Sequence, residues 1–241
     1  GPAGRMNWRQ QGSLWCLQPP QCRGLIQFIG GSYLAATPQL SYRRLLEALA
    51  RQGLAIQAWS YVPGFDHQAQ ANEAWKLFRA LRPSSDPAPL RLGHSLGCKL
   101  HLLAPDNGRG SSALAALCFN NFSAERSVPL LAELGPRLGI QSEFSPSPAE
   151  TLRLVGANYS QPHNLLVRFN RDGIDQSRRL LEVLQQRPGD QTELIELSGD
   201  HLTPASAGLR QNLLGAWADD PSRQRQIDSL AETIGRWWLP S

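Results

Sequence analysis

Leu90-Arg91-Leu92-Gly93-His94-Ser95-Leu96-Gly97-Cys98 is the stretch from which the rest of the chain can be read. It holds G-x-S-x-G between an apolar, strand-like run and a run of helical character, Cys98-Lys99-Leu100-His101-Leu102-Leu103. Isolated matches to this pattern are common. Between a strand and a helix it becomes the sharp turn called a nucleophile elbow. The central Ser of such a turn takes unusual dihedrals, and a Cβ on either flanking Gly would collide with the neighbouring strand or helix. Ser95 Oγ is therefore expected to project from the strand end, with the first helical N–H groups directed toward it. The bland alternative is a Gly-flanked turn carrying a solvated Ser.

Outward from the elbow, apolar strand runs alternate with helical patterns. Upstream, Gly24–Gly31 reads as a buried strand ending in a Gly pair. Thr37 as N-cap and Pro38 at the first helical position open a helix with Tyr42, Leu45, Leu46 and Leu49 on its apolar face, ended by Gly53. Leu54–Val62 is the next strand, and Asp66–Arg82 the next helix. One or two short strands are expected between Trp8 and Gln18. Downstream, Ala113–Phe122 is a strand, Asn164–Asn170 another, 175–187 a helix and Thr192–Leu197 the last strand. A final helix begins near Pro221 and carries Ile227, Leu230, Ile234, Trp237 and Trp238 at core-packing spacing. The repeated β-α alternation predicts an α/β fold with a mostly parallel sheet and helices on both faces.

The alternation stops between 123 and 163. This segment is too long for a plain loop and is expected to be an inserted helical lid between core segments 6–122 and 164–241. Pro136 would break its first helix. Ser147-Pro148-Ala149-Glu150 is a capping box that opens its second. Residues 1–5 resemble an expression scar, with Met6, the single Met, as the natural start.

Chemistry enters through chain order. In the α/β-hydrolase arrangement the nucleophile is followed by an acid after a later strand and by a His after the last one. Asp172 lies two residues past Asn170, and His201 lies four past Leu197. A Ser hydroxyl is a poor nucleophile until an imidazole takes its proton, and a carboxylate fixes the imidazole tautomer. Asp175 is the rival acid, though it is also placed to cap the following helix. Oxyanion donors are expected at the backbone N–H groups of Leu96 and, in Gly30-Gly31-Ser32, of Gly31. Ser32, His94, Asn120, Asn121 and His67 are candidate substrate-binding residues. His67 has the simpler reading of a helix-start residue beside the cap Asp66, and His94 and His101 that of local packing.

Composition narrows the classes. The 241 residues are 41% hydrophobic and 18% charged, which suits one globular α/β domain. Net charge is +4, from 24 basic and 20 acidic residues scattered along the chain. No basic stripe interleaved with aromatics suggests a nucleic-acid partner, and no apolar run approaches a membrane span. Cys16, Cys22, Cys98 and Cys118 make no C-x-x-C and no metal-ligand spacing. No metal or cofactor is implied. Reduced thiols and the lack of a secretion signal point to a cytosol-like compartment.

Several further pieces resemble one family. They are Phe28-Ile29-Gly30-Gly31, Pro38-Gln39-Leu40-Ser41-Tyr42-Arg43, Phe65-Asp66-His67, the elbow with His101-Leu102-Leu103, Phe119-Asn120-Asn121, and His201-Leu202-Thr203-Pro204. The chain resembles the uncharacterised α/β-hydrolase family of cyanobacteria and plastid-bearing plants, known only as a domain of unknown function. The resemblance implies an α/β-hydrolase fold and a photosynthetic host, hence a cyanobacterial cytosol or plastid-type compartment. It supplies no substrate. It adds interest to Phe65-Asp66-His67 and Asn120-Asn121.

Together these readings predict a serine hydrolase acting through Ser95, His201 and Asp172 on an acyl ester or thioester. The Leu- and Val-rich insertion suggests a lipophilic small-molecule substrate, and acyl transfer is open to the same machinery. The alternative is a non-catalytic α/β-hydrolase-fold protein that binds a lipid, pigment or assembly partner.

Overall fold

The chain is seen here as a computed structural model that describes residues 6–82, 87–121, 143–206 and 220–240. The strands are β1 (Arg9–Gln11), β2 (Leu14–Leu17), β3 (Gly24–Ile29), β4 (Leu54–Trp59), β5 (Leu90–His94), β6 (Ala113–Leu117), β7 (Asn164–Phe169) and β8 (Glu193–Leu197). They form one eight-stranded sheet in the order β1-β2-β4-β3-β5-β6-β7-β8. The β1–β2 and β2–β4 pairs are antiparallel, and every other pair is parallel.

The helices are α1 (Pro38–Ser41), α2 (Arg43–Arg51), α3 (His67–Leu81), α4 (Leu96–Leu102), α5 (Pro148–Asn158), α6 (Ser177–Gln185) and α7 (Pro221–Trp238). Period-2 alternation along the buried strands feeds two layers. Ala113, Ala115 and Leu117 of β6 face the core that holds Leu45, Leu46 and Leu49 of α2 and Leu230 and Ile234 of α7. Leu114 and Ala116 face the opposite core with Val155 of α5 and Leu180 and Leu184 of α6. Both faces of the sheet are thus covered, as its near-continuous apolar strands require. Burying each such Leu or Ile contributes about 1.5–3 kcal/mol before the opposing entropy is counted.

Local details refine the sequence reading. The helix expected from Thr37 to Gly53 is two helices, because Tyr42 leaves the helical region at φ −120°. Its ring is fully buried, edge-on to Phe28 and His94, and that tertiary anchorage overrides local propensity. The expected cap at Thr37 is not made; its hydroxyl lies 3.4 Å from Ser41 Oγ instead. Asp66 does cap α3, accepting from the Ala69 amide at 2.9 Å. Ser147 caps α5, accepting from the Glu150 amide at 3.3 Å. The expected inserted segment is seen only in its second part, where α5 packs on the sheet. The helix expected around Pro136 lies outside the described residues.

The elbow is built where the sequence places it. Ser95 sits between β5 and α4 with φ +56° and ψ −116°, a conformation that costs energy and persists only because its surroundings impose it. Gly97 lies directly under the backbone of β3. A Cβ there would collide with the Ile29 carbonyl oxygen and stand 2.6 Å from the Ile29 carbonyl carbon. Both obstacles are backbone in the middle of the sheet, so neither can yield. Gly97→Ala is expected to cost about 4 kcal/mol or more of folding free energy, read as a loss of the cooperative thermal transition or of soluble yield. A variant with near-native thermal stability would refute this packing.

Candidate active site

The loops after the C-terminal ends of β3, β5, β6, β7 and β8 bring together side chains that are distant in sequence. His201 Nε2 stands 3.1 Å from Ser95 Oγ, and His201 Nδ1 stands 2.7 Å from Asp172 Oδ2. A carboxylate only accepts, so Nδ1–H is the donor to Asp172, and Nε2 is left to accept from the Ser95 hydroxyl. Burial works against the charge on Asp172. The hydrogen bond and charge of His201, the Ile174 amide and the Cys118 thiol outweigh it, and the carboxyl lies below its ordinary pKa.

Asp175, the rival acid, does not meet His201. Its Oδ1 accepts from the Ser177 amide at 2.7 Å, and burial raises its pKa. Of the two acids, it is the turn residue that points at the imidazole.

The loop carrying His201 is held on several sides. Asp200 pairs with Arg223 of α7 and accepts from the Leu202 amide at 3.0 Å, while the Asp200 amide donates to Thr203 Oγ1 at 2.8 Å. His94 supplies another tie. Its Nε2–H donates to the His201 carbonyl at 2.8 Å, and its Nδ1 accepts from Tyr42 Oη at 2.7 Å. Tyr42 Oη in turn accepts from the Gly31 amide at 2.9 Å. Burial, then the neighbouring His201, lowers the His94 pKa to about 3, so its ring is neutral.

This chain of bonds bears on two sequence expectations. The Gly31 N–H was assigned to the oxyanion hole, but it is spent on Tyr42. The contribution of Gly31 is space, since a Cβ there would lie 3.0 Å from Ser95 Cβ. His94 was a candidate for substrate binding. It lines the cavity that holds Ser95, and both its ring nitrogens are engaged within the protein, by Tyr42 Oη and the His201 carbonyl. Neither bond was legible from the chain, because each joins side chains or loops far apart in sequence. His101, read as structural, donates from Nε2 to the Gln27 and Leu92 carbonyls at 3.0 and 3.1 Å.

Ser95 and His201 open into a cavity of about 820 Å³. Apolar walls come from Tyr33, Leu34, Val62, Phe65, Ile174 and Leu202. Ser32, Asn120, Asn121 and His67, all named from sequence, line it as well, together with Lys99 and Phe144, which were not. Lys99 did carry a signal: it is a lone charge inside the apolar run after the elbow, one helical turn beyond Ser95. A smaller cavity of about 380 Å³, lined by Arg79, Arg91 and Asp106, holds none of these residues.

Cys118 is a further neighbour that sequence reasoning missed. It follows the strand beside the elbow with φ +55°, and its thiol lies beside the Asp172 carboxylate. Cys118, Asp172 and His201 each place one potential metal-ligating atom within 4.8 Å of the others. Burial, then the charges of Asp172 and Asp175, push the thiol pKa far up, and a protonated thiol is a poor ligand.

The strand order, the antiparallel edge and the Ser-bearing turn after the fifth strand define the α/β-hydrolase class. The chain belongs to the family described as Protein of unknown function (DUF1350), which it matches over residues 7–219. Among curated proteins no significant match is found. Solved structures share the fold at low identity. A monoacylglycerol lipase from Paleococcus ferrophilus aligns with TM-score 0.62 and 14% identity over 96% of this chain and 100% of its own. Carboxyl esterase 2 from Tuber melanosporum aligns with TM-score 0.62 and 16% identity over 98% and 87%. The thioesterase domain of a curacin biosynthetic pathway aligns with TM-score 0.58 and 13% identity over 95% and 98%. Among the described residues no helix is long and apolar enough to cross a membrane.

Proposed function

We propose that the protein is a serine hydrolase that cleaves an acyl ester or thioester through an acyl-enzyme. The observation that carries this reading is the run of contacts from Ser95 Oγ to His201 to Asp172, at 3.1 and 2.7 Å, in the wall of a largely apolar cavity. Ser95 attacks the carbonyl carbon while His201 Nε2 takes its proton. The negative oxygen of the tetrahedral intermediate is met by backbone N–H groups. Leu96 keeps the role expected from sequence. Ser32, the next residue along the loop and part of the cavity wall, replaces Gly31 as the second donor. His201 then returns the proton to the leaving alcohol or thiol, and water repeats the sequence to free the acid. Asp172 holds the imidazole in the tautomer that leaves Nε2 unprotonated and stabilises the imidazolium.

The apolar walls favour a lipophilic acyl or alcohol part. All four cysteines are unpaired, which fits a reducing compartment such as a cytosol or plastid stroma. The direct test is a fluorophosphonate probe followed by peptide mass spectrometry. The expected adduct is on Ser95. An unlabelled Ser95, in protein that hydrolyses no panel ester, would refute the reading.

A further inference from the structure

Beyond Ser95, the part of the cavity wall around Lys99 carries more polar capacity than its own contacts use. His67 is 2% exposed and stacks on Phe144 at 4.3 Å between ring centroids, yet among the described residues neither ring nitrogen has a hydrogen-bond partner. The Gly64 backbone is near but falls short of hydrogen-bond geometry. Asn121, 6% exposed, donates from Nδ2 to the Pro148 carbonyl, while its Oδ1 has no partner. Lys99, 1% exposed, makes one hydrogen bond, from Nζ to the Pro146 carbonyl at 3.0 Å, and lies 5.5 Å from the Phe144 ring. Glu143 acts on Lys99 through space only, and its Oε1 accepts from the Phe144 amide. All three residues line the cavity that contains Ser95.

One neutral carbonyl does not offset the desolvation of a buried ammonium, and buried polar atoms are ordinarily bonded. Holding Pro146 alone explains neither the two unused Lys99 protons nor the two bare nitrogens of His67. Lys99 sits one helical turn beyond Ser95, and both line the same cavity, so one small substrate can reach both. Burial lowers the Lys99 pKa to about 8, so the ammonium is the majority form at neutral pH. Burial, then Lys99, lowers the His67 pKa to about 3, so its ring is neutral and offers one N–H donor.

We propose that this part of the cavity receives an anionic oxygen group, a carboxylate or a phosphate, carried by the substrate whose carbonyl Ser95 attacks. This rests on the hydrolase reading and narrows its substrate class to acyl compounds bearing such a group. The group accepts from Lys99 Nζ and the His67 N–H. Asn121 Oδ1 takes a hydroxyl beside it. The apolar walls hold the rest of the molecule.

The test compares mono-p-nitrophenyl glutarate with p-nitrophenyl pentanoate, which match in chain length and differ by the terminal charge. The native protein is expected to favour the charged ester by about tenfold or more in kcat/KM, the usual worth of a hydrogen bond to a charged group. Lys99→Met, which keeps the apolar stem, should erase that ratio mainly through KM, and Lys99→Arg should restore part of it. A native ratio at or below one, or a ratio unchanged in Lys99→Met, would overturn the proposal. A second measurement needs neither turnover nor a Lys99 variant: thermal stabilisation of Ser95→Ala by glutarate, inorganic phosphate or neutral glutaramide at matched ionic strength. Stabilisation by glutarate identifies a carboxylate and by phosphate a phosphate, whereas equal responses to all three refute the site. If neither ester is cleaved but an anion stabilises the protein, the hydrolase reading fails and the anion site stands.

Discussion

Ser95→Ala is expected to lower kcat for an activated ester by about 10⁴-fold or more, the effect of removing a nucleophile from a Ser-His-Asp arrangement. The hydroxyl at 3.1 Å is the only group His201 Nε2 addresses among the described residues. Without it the remaining chemistry is slow attack by water. The substitution removes one exposed-side oxygen and leaves the backbone strain at φ +56° as it was, so the melting temperature should change little. The measurement is kcat under saturating p-nitrophenyl ester together with a thermal scan. A folded variant that keeps activity within tenfold of the native protein would remove Ser95 from the mechanism.

Asp172→Asn is the second large effect, about 10⁴-fold in kcat. An amide at this position no longer forces Nδ1–H toward it, so Nε2 loses its fixed role as acceptor. Asp175→Asn makes the contrast, because Asp175 serves the start of α6; it should cost about 1 kcal/mol of stability and leave turnover largely intact. The reverse pattern would make Asp175 the acid. Acid stability should respond as well. The Asp172 carboxyl is depressed below its unfolded value, burial notwithstanding, because the charged form is held by His201. Its contribution is therefore present above the ordinary carboxylate range and is lost as pH falls through the depressed value. Unfolding free energy of Asp172→Asn should fall less steeply with acid than that of the native protein.

The sheet was largely legible because its signals are local and periodic. The apolar runs at 24–31, 54–62, 90–94, 113–122, 164–170 and 192–197 became β3 to β8, and the Gly spacing around Ser95 demanded a turn that no bulky residue could make. His201 and Asp172 were legible from chain order, since the fold ends each parallel strand at the same rim. What stayed hidden depends on through-space partners. Nothing along the chain reveals that Tyr42 would take the Gly31 amide and lean on His94. His67 beside a capping Asp reads as an ordinary helix start. Only the fold reveals that segment 143–146 lies across it, with Ser145 accepting from Gln68 and donating to the Phe65 carbonyl.

The anchorage of the His201 loop has a consequence for how rate and rigidity are linked. With Arg223 gripping Asp200 from the C-terminal helix and His94 gripping the carbonyl of residue 201, the imidazole can swing about its own side-chain bonds while its backbone stays fixed. Ser95, His201 and Asp172 are thus aligned by folding itself, and the proposed hydrolysis would need little further rearrangement of solvent or protein. Loosening that last helix would therefore be felt at the Ser95 hydroxyl, through the pair that Arg223 makes with Asp200.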